Sequence, residues 1–176
     1  MAVAAIIISI LAFLFALGSF WWLNARRGSL TAVLPQTYAF VAGFRLRLPL
    51  AFFNDGAVPL LITDLRIDIS EVGHFPWQTT RSKLRPESDD DLAFATPFAV
   101  HGRDTKELIV EFGDDDSWVP EPGARHQIRL EAKVHPHESW AEFVTFAWWA
   151  PPTVSLMTRY IAHRNEPHGT DAQASG

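Results

Sequence analysis

The sequence contains no cysteine in its 176 residues. A disulfide framework, a thiolate zinc site, a cysteine nucleophile and lipid attachment through a cysteine are therefore excluded. Domains on either face of a membrane can lack cysteine, so this absence does not locate the protein.

Common catalytic motifs are missing as well. The sequence has no Gly-x-Ser-x-Gly elbow, no Walker loop and no dinucleotide-binding fingerprint. The net charge is −5, and Lys and Arg are not clustered as phosphate neutralisation of nucleic acid requires. We therefore predict a non-enzymatic protein without a cofactor and without a nucleic-acid partner.

Charge is absent from the first part of the chain, between Ala2 and Leu23. As a helix, residues 2–23 rise about 33 Å, which is enough to cross a hydrocarbon core of about 30 Å. A cleaved signal peptide is the alternative, but Met1-Ala2-Val3 lacks the positive charge that such a segment carries. A buried core helix would not need to be apolar on all sides. We predict one uncleaved transmembrane helix with the lipid bilayer as its partner.

The stretch "SFWWLNARRGS" (19–29) ends this segment. Phe20, Trp21 and Trp22 match an aromatic belt at the membrane interface, and Arg26 and Arg27 follow in a basic link over residues 24–28. Because Lys and Arg beside a span are retained in the cytoplasm, we expect the N-terminus outside and the following domain in the cytoplasm of a single-pass plasma-membrane protein.

Alternation of apolar and polar residues predicts strands in the rest of the chain. "FRLRLPLAFFN" (44–54) and "LLITDLRIDIS" (60–70) surround the turn "NDGAVP", and this arrangement favours an antiparallel hairpin. Pro49 indicates an edge or a bulge in the first of them. The remaining predicted strands cover 29–35, 92–100, 105–113, 125–135 and 139–149, the last two as a second pair.

About seven strands with regular turns predict an all-β domain, an immunoglobulin-like antiparallel β-sandwich over residues 29–150. Residues 71–91 are predicted as a long loop with one ragged strand. Residues 151–164 are compatible with a short C-terminal helix. Residues 165–176 lack large apolar side chains and are predicted to be a disordered tail.

The pattern "LPLAFFNDGAVPLLITDLRIDI", followed by a long loop and "PFAVHGRDTKELIVEF", resembles small β-sandwich domains of bacterial membrane-anchored proteins of unknown function. It is also broadly similar to the LEA-14/WHy type of sandwich. The resemblance covers roughly residues 40–150 and departs from the LEA-14 pattern at "NDG", where Asn-Pro-Asn is usual. It implies a binding or structural role and no catalytic residues.

Three polar side chains in "HPHE" are the best metal-like group: His135, His137 and Glu138. Alternate residues of an extended chain project the same way, so two imidazoles would face one ion. The alternative, a polar turn between two strands, is favoured. Two acidic triplets, Asp89-Asp90-Asp91 and Asp114-Asp115-Asp116, do not match an EF-hand, and we expect solvated loops there.

Phe75 and Trp77 are candidates for an exposed partner surface, against the alternative of core packing. The favoured hypothesis is a membrane-tethered, non-enzymatic binding or scaffold module, with another membrane protein as a candidate partner. The rival is an outward-facing envelope domain that binds polysaccharide or a metal through Trp77 or through His135 and His137.

Overall fold

The computed structural model describes residues 2–41, 44–113, 118–152 and 160–166. One helix, α1, covers Ala2–Asn24 and is long and apolar enough to cross a membrane. None of its apolar window is buried against the rest of the protein. The predicted apolar N-terminal helix is confirmed.

The rest of the described chain forms antiparallel strands, as the predicted all-β class requires. They are β1 (Leu30–Val33), β2 (Thr37–Val41), β3 (Arg45–Asn54), β4 (Leu60–Ile69), β5 (Gly73–Arg81), β6 (Leu92–Phe94), β7 (Phe98–Val100), β8 (Thr105–Gly113), β9 (Arg125–Val134), β10 (Ala141–Trp149) and β11 (Ile161–Arg164). They form one curled sheet in the order β10-β9-β4-β5-β8-β3-β2-β11, with β1 on β3, β6 on β5 and β7 on β4.

Strand β5 carries the sheet from one layer to the other. Its first residues pair with β4, and the residues from Trp77 onward pair with β8, with a register shift between Trp77 and Thr79. The sequence predicted a long loop with one ragged strand at 71–91. Instead, nine of these residues form a strand in the middle of the sheet, and the loop is confined to residues 82–91.

One core lies between the two layers. Trp148 of β10 is fully buried and contacts the rings of Tyr38, Phe40 and Phe44 from the opposite layer. Phe52 of β3 likewise meets aromatic rings of β7 and β10. Aromatic side chains bury large apolar areas, so these contacts across the layers are a main source of stability.

The predicted hairpin of β3 with β4 is wrong. Strand β3 pairs with β8, β1 and β2, whereas β4 pairs with β5, β9 and β7. Five residues, 55–59, separate the two strands, rather than the two-residue loop that the commonest hairpins use. The connection therefore crosses from one layer to the other.

Pro49 lies in a central strand, but at a break in its pairing. Residues 51–54 of β3 pair with β1, and residues 45–47 pair with β2. The missing N–H of Pro49 thus falls between the two ladders on that side, which explains how the residue is tolerated.

Two other strand predictions have different outcomes. The pairing of 125–135 with 139–149 is confirmed as the antiparallel pair β9–β10, with a register shift between Glu142 and Val144. The predicted strand 92–100 is two short strands, because β6 joins β5 and β7 joins β4. Pro97, in the break, has no N–H to continue a ladder.

The C-terminal segment closes the open side of the sheet. Residues 161–164 form β11 on the edge of β2, so the predicted helix is wrong there, and residues 153–159 lie outside the described part of the chain. The Asn165 amide donates to the Ala147 carbonyl (2.8 Å) and accepts from the Trp149 N–H (3.1 Å). It thereby links the two ends of the sheet. Of the predicted tail, residues 167–176 lie outside the description.

Candidate functional site

The junction between α1 and the β domain is held by side chains from two turns. Arg26 Nη2 donates to the Asp55 carbonyl oxygen (2.7 Å) and lies 3.5 Å from the Asp55 carboxylate. The same guanidinium stacks on the Trp22 ring, 4.5 Å from its centroid. From the other turn, Arg103 Nη2 donates to the Trp22 carbonyl oxygen (2.9 Å). The link over residues 24–28 is therefore fixed to the domain.

A close backbone contact tightens this junction. A Cβ atom added to Gly28 would lie 1.9 Å from the backbone nitrogen of Gly56, so only glycine fits there. The Asp55 carboxylate accepts the N–H of Ser29 at 2.6 Å. The turn after β3 thus packs directly against the chain that leaves the helix.

The turn owes its shape to the buried amide of Asn54. Its Nδ2 donates to the carbonyl oxygens of Val58 (2.9 Å) and Val100 (3.2 Å), and its Oδ1 accepts the N–H of Gly56 (2.9 Å). A buried polar group must be hydrogen-bonded, and this one satisfies three backbone groups at once. It orients the turn that receives Arg26.

The predicted interface residues lie at this junction. Phe20, Trp21 and Trp22 are each more than half exposed along the last turns of α1. Arg27 is exposed, whereas Arg26 is partly buried and paired with a carboxylate. Arg27 is thus the less neutralised of the two cations on which the predicted orientation depends.

A buried ionic cluster covers the outer face of the layer that contains β3 and β8. Arg47 is 2% exposed; its Nε donates to Glu111 Oε2 (2.7 Å) and its Nη1 donates to Asp90 Oδ2 (2.9 Å). Arg47 also donates to the Lys83 carbonyl oxygen (3.1 Å). Arg81 lies 3.6 Å from Glu111 and 3.8 Å from Asp90. This arrangement fixes the loop 82–91 on the sheet.

Tyr160 brings the C-terminal segment into the same cluster. Its hydroxyl donates to Glu111 Oε2 (2.8 Å), and its ring lies 4.3 Å from the Arg47 guanidinium. Burial, together with the Glu111 charge, raises the pKa of Tyr160 to about 12. The phenol therefore stays protonated at neutral pH and acts as a hydrogen-bond donor.

The charges of the cluster stabilise one another. Burial alone would raise the pKa of Asp90, but hydrogen bonds from Arg47 and from the Lys83 N–H hold it below its usual value. Burial alone would lower the pKa of Arg47, and its bonds to Glu111 and Asp90 raise it instead. Arg47 and Asp90 are therefore both charged at neutral pH, and the cluster holds together strands, loop and C-terminal segment.

The metal candidates lie on an exposed turn. His135, His137 and Glu138 connect β9 to β10, and the His137 N–H donates to the Val134 carbonyl oxygen (2.8 Å) within that turn. In the described ranges, no group of three or more His, Asp or Glu side chains is placed to hold a metal ion.

One residue of the first acidic triplet departs from the solvated loop that the sequence predicted, whereas Asp89 and Asp91 are exposed as expected. Asp90 is buried in the ionic cluster, and Asp89 pairs with Lys83 at 2.6 Å. The second triplet, 114–116, lies outside the described residues.

The predicted partner surface at Phe75 and Trp77 is wrong. Both side chains lie in the core, 4% and 6% exposed, because β5 turns this face toward the opposite layer. Exposed apolar side chains occur instead on β6, where Phe94 is 77% exposed and Leu92 is 53% exposed. Scattered apolar side chains are normal on a surface, and these two lie on one short strand that pairs with β5.

Comparison with known proteins assigns the chain to no family. No family model matches it, and no curated protein does. Among solved structures, it is similar to the alkylpurine DNA glycosylase AlkC of Pseudomonas fluorescens bound to DNA with an abasic-site analogue (15% identity, TM-score 0.38, 70% of this chain and 31% of that one). The sporulation control protein Spo0M of Bacillus subtilis shows 8% identity and a TM-score of 0.38, over 70% of this chain and 50% of that one.

A PapD-like domain of human CEP192 shows 8% identity and a TM-score of 0.33, over 73% of this chain and 88% of that one. The chain thus spans no more than half the length of the two bacterial proteins. Similarities at these scores carry no argument about function.

Proposed function

We propose that this protein is a membrane-tethered, non-enzymatic binding or scaffold module, with its β domain held against the cytoplasmic face of the plasma membrane. The observation that supports this proposal best is the junction. Arg26, Asp55, Arg103 and the Gly28–Gly56 contact fix the domain to the end of an exposed apolar helix. A domain carried on a flexible tether would not need these contacts.

The fixed junction has a consequence for binding. A module confined near one membrane meets partners in that membrane at a raised effective concentration. A stiff connection also gives the module one height and one orientation, so partner segments at that height are favoured. We therefore propose another membrane protein as the partner.

Strand β6 is the surface we propose for that partner. It pairs with β5 on one side, and no other described strand pairs with it. A free strand edge offers unpaired backbone groups to an added strand, and Leu92 and Phe94 supply apolar contacts beside it. The immunoglobulin-like class, the LEA-14/WHy resemblance and a bacterial origin remain predictions.

The side of the membrane is tested by labelling a single cysteine. Because the chain has no native cysteine, Ser88→Cys places one thiol in the exposed loop of the domain. We expect a membrane-impermeant maleimide to leave this thiol unlabelled in intact cells. After permeabilisation, the same reagent should label it. Labelling in intact cells would contradict the cytoplasmic placement and favour the outward-facing envelope domain.

The rival function has lost one of its supports. Trp77 cannot stack on a polysaccharide, because its side chain is buried. The metal version depends on His135 and His137 alone among the described residues. Metal analysis of the purified full chain tests it, and stoichiometric zinc or copper would favour the rival.

The partner surface is tested by photo-crosslinking in native membranes. A benzoyl-phenylalanine at position 94 is expected to give one discrete crosslinked product, whereas the same group at position 164, which is also exposed, should not. Identical products from both positions, or none from position 94, would contradict the proposed surface.

A further inference from the structure

A groove lies at the membrane-proximal end of the domain, beside the junction with α1. It has apolar walls, and its rim carries one cation and two imidazoles; these residues are Leu30, Leu60 and Phe143 in the walls and Arg27, His135 and His137 at the rim. Its volume is about 490 Å³. This is within the range of pockets that hold small molecules, roughly 300–1,000 Å³.

The groove begins where the membrane helix ends. Helix α1 stops at Asn24, and Arg27 is only three residues further along the chain. Three extended residues span about 10 Å at most, and the polar zone of one leaflet is several ångströms thick. The His135 N–H donates to the Leu61 carbonyl oxygen (2.9 Å), which places the histidine turn beside the start of β4, at the same end of the domain. Arg27 therefore lies within about 10 Å of the end of α1, so with α1 in the bilayer the rim is close to the lipid headgroups.

The charges at this level favour an anion. Arg27 is exposed, and among the described residues no carboxylate forms an ion pair with it. Asp55, the nearest carboxylate in the turn after β3, is occupied by Arg26 and by the Ser29 N–H. Glu138 follows His137 on the exposed turn and carries an opposing charge. An arginine and imidazole N–H donors above apolar walls suit a phosphate that is attached to an apolar group.

We propose that this groove binds an anionic phospholipid of the bilayer that contains α1. The headgroup phosphate lies between Arg27, His135 and His137, and the glycerol with the first methylenes of the acyl chains packs on Leu30, Leu60 and Phe143. This inference rests on the proposed membrane tether. It gives the domain a second contact with the membrane, which fixes the rotation of the domain about the axis of α1.

The test uses the full chain in phosphatidylcholine nanodiscs that contain a photoactivatable phosphatidylglycerol, with the diazirine near the glycerol. Mass spectrometry maps the crosslinks. We expect them on α1 and also on the peptides that contain residues 27–30 and 134–143, with the latter group suppressed by excess unlabelled phosphatidylglycerol but not by excess phosphatidylcholine.

The decisive variant is Arg27→Gln/His135→Gln/His137→Gln. It should lower the groove crosslinks roughly tenfold, as loss of one charged contact does, and leave those on α1 unchanged. The matched control, Arg164→Gln/His74→Gln, removes the same kinds of side chain at exposed positions outside the groove. It should change nothing.

Three outcomes would overturn the proposal. Equal crosslinking of the groove in the triple variant, or equal competition by both lipids, would show that the groove does not select an anionic headgroup. Both results leave crosslinks on α1 and so leave the tether intact. Crosslinks missing from α1 as well as from the groove would overturn the tether itself.

Discussion

Replacement of Arg47 by methionine tests the buried ionic cluster. The change removes the cation that bridges Glu111 at 2.7 Å and Asp90 at 2.9 Å, and both carboxylates are almost fully buried. Breaking a buried ion pair by removing one partner costs about 3–5 kcal/mol, because an uncompensated charge remains. Arg81 stays within 4 Å of both carboxylates, so we expect the lower end, about 3 kcal/mol.

The assay is thermal unfolding of the full chain in detergent micelles, followed by tryptophan fluorescence. For a chain of this size, 1 kcal/mol corresponds to roughly 2–4 °C, so Tm should fall by about 6–12 °C. The control is Arg45→Met, on the same strand and the same face; Arg45 is 58% exposed and 3.7 Å from Glu111. It should cost less than about 1 kcal/mol. A similar Tm for both variants would refute the account of the cluster.

Three further predictions concern acid stability, the junction and the closure of the sheet. The pKa of Asp90 is lowered in the folded state, so the stabilisation from its charge is complete above about pH 4 and is lost as pH falls through the lowered pKa. Asp90→Asn should therefore show a smaller drop in Tm on acidification than the native chain. An unchanged drop would contradict this. Gly28→Ala places a Cβ 1.9 Å from the Gly56 nitrogen and should lower the free energy of unfolding in urea by about 1–3 kcal/mol. Gly18→Ala, which has open space around it, should leave this free energy almost unchanged. Equal effects of the two variants would contradict the close contact at Gly28. Asn165→Ala loses two hydrogen bonds to β10 and should lower the free energy of unfolding by about 1–3 kcal/mol. It should also speed amide hydrogen exchange in β10. Exchange as slow as in the native chain would refute the link between the two ends of the sheet.

The alternation of apolar and polar residues predicted where strands lie better than it predicted which strands pair. Residues 125–135 and 139–149 are close in sequence and joined by a short polar turn, so their pairing followed from local signals. Strands β3 and β4 show the same alternation around a turn, yet they lie in different layers. Alternation shows which face is buried but not which strand lies alongside. Of the three hydrogen bonds that the Asn54 side chain makes at the crossing, the one to Val100 is distant in sequence.

The ionic cluster gave no local signal. Arg47 occupies the outward phase of its strand, where an arginine is ordinary, and Asp90 lies in an acidic run typical of a solvated loop. Only the return of the loop 82–91 and of Tyr160 over that face buries them. The prediction for Phe75 and Trp77 failed because it placed them in a loop. They lie in a strand that changes layers, and this strand buries their side chains in the core.

The junction was half predictable. The apolar run and the aromatic belt located the end of the helix, and the short link indicated a domain near the membrane. The contacts of Arg103 with the end of α1 and of Asp55 with the chain that follows the link could not be foreseen, because they come from turns distant in the sequence.

The central claim is that α1 remains in the bilayer as the anchor to which the domain is fixed. The intact mass of the protein recovered from alkaline-washed membranes measures this most directly. We predict that the protein in the membrane pellet still includes the mass of residues 2–23. A shorter chain that lacks the first two dozen residues and is recovered in the soluble fraction would contradict the account.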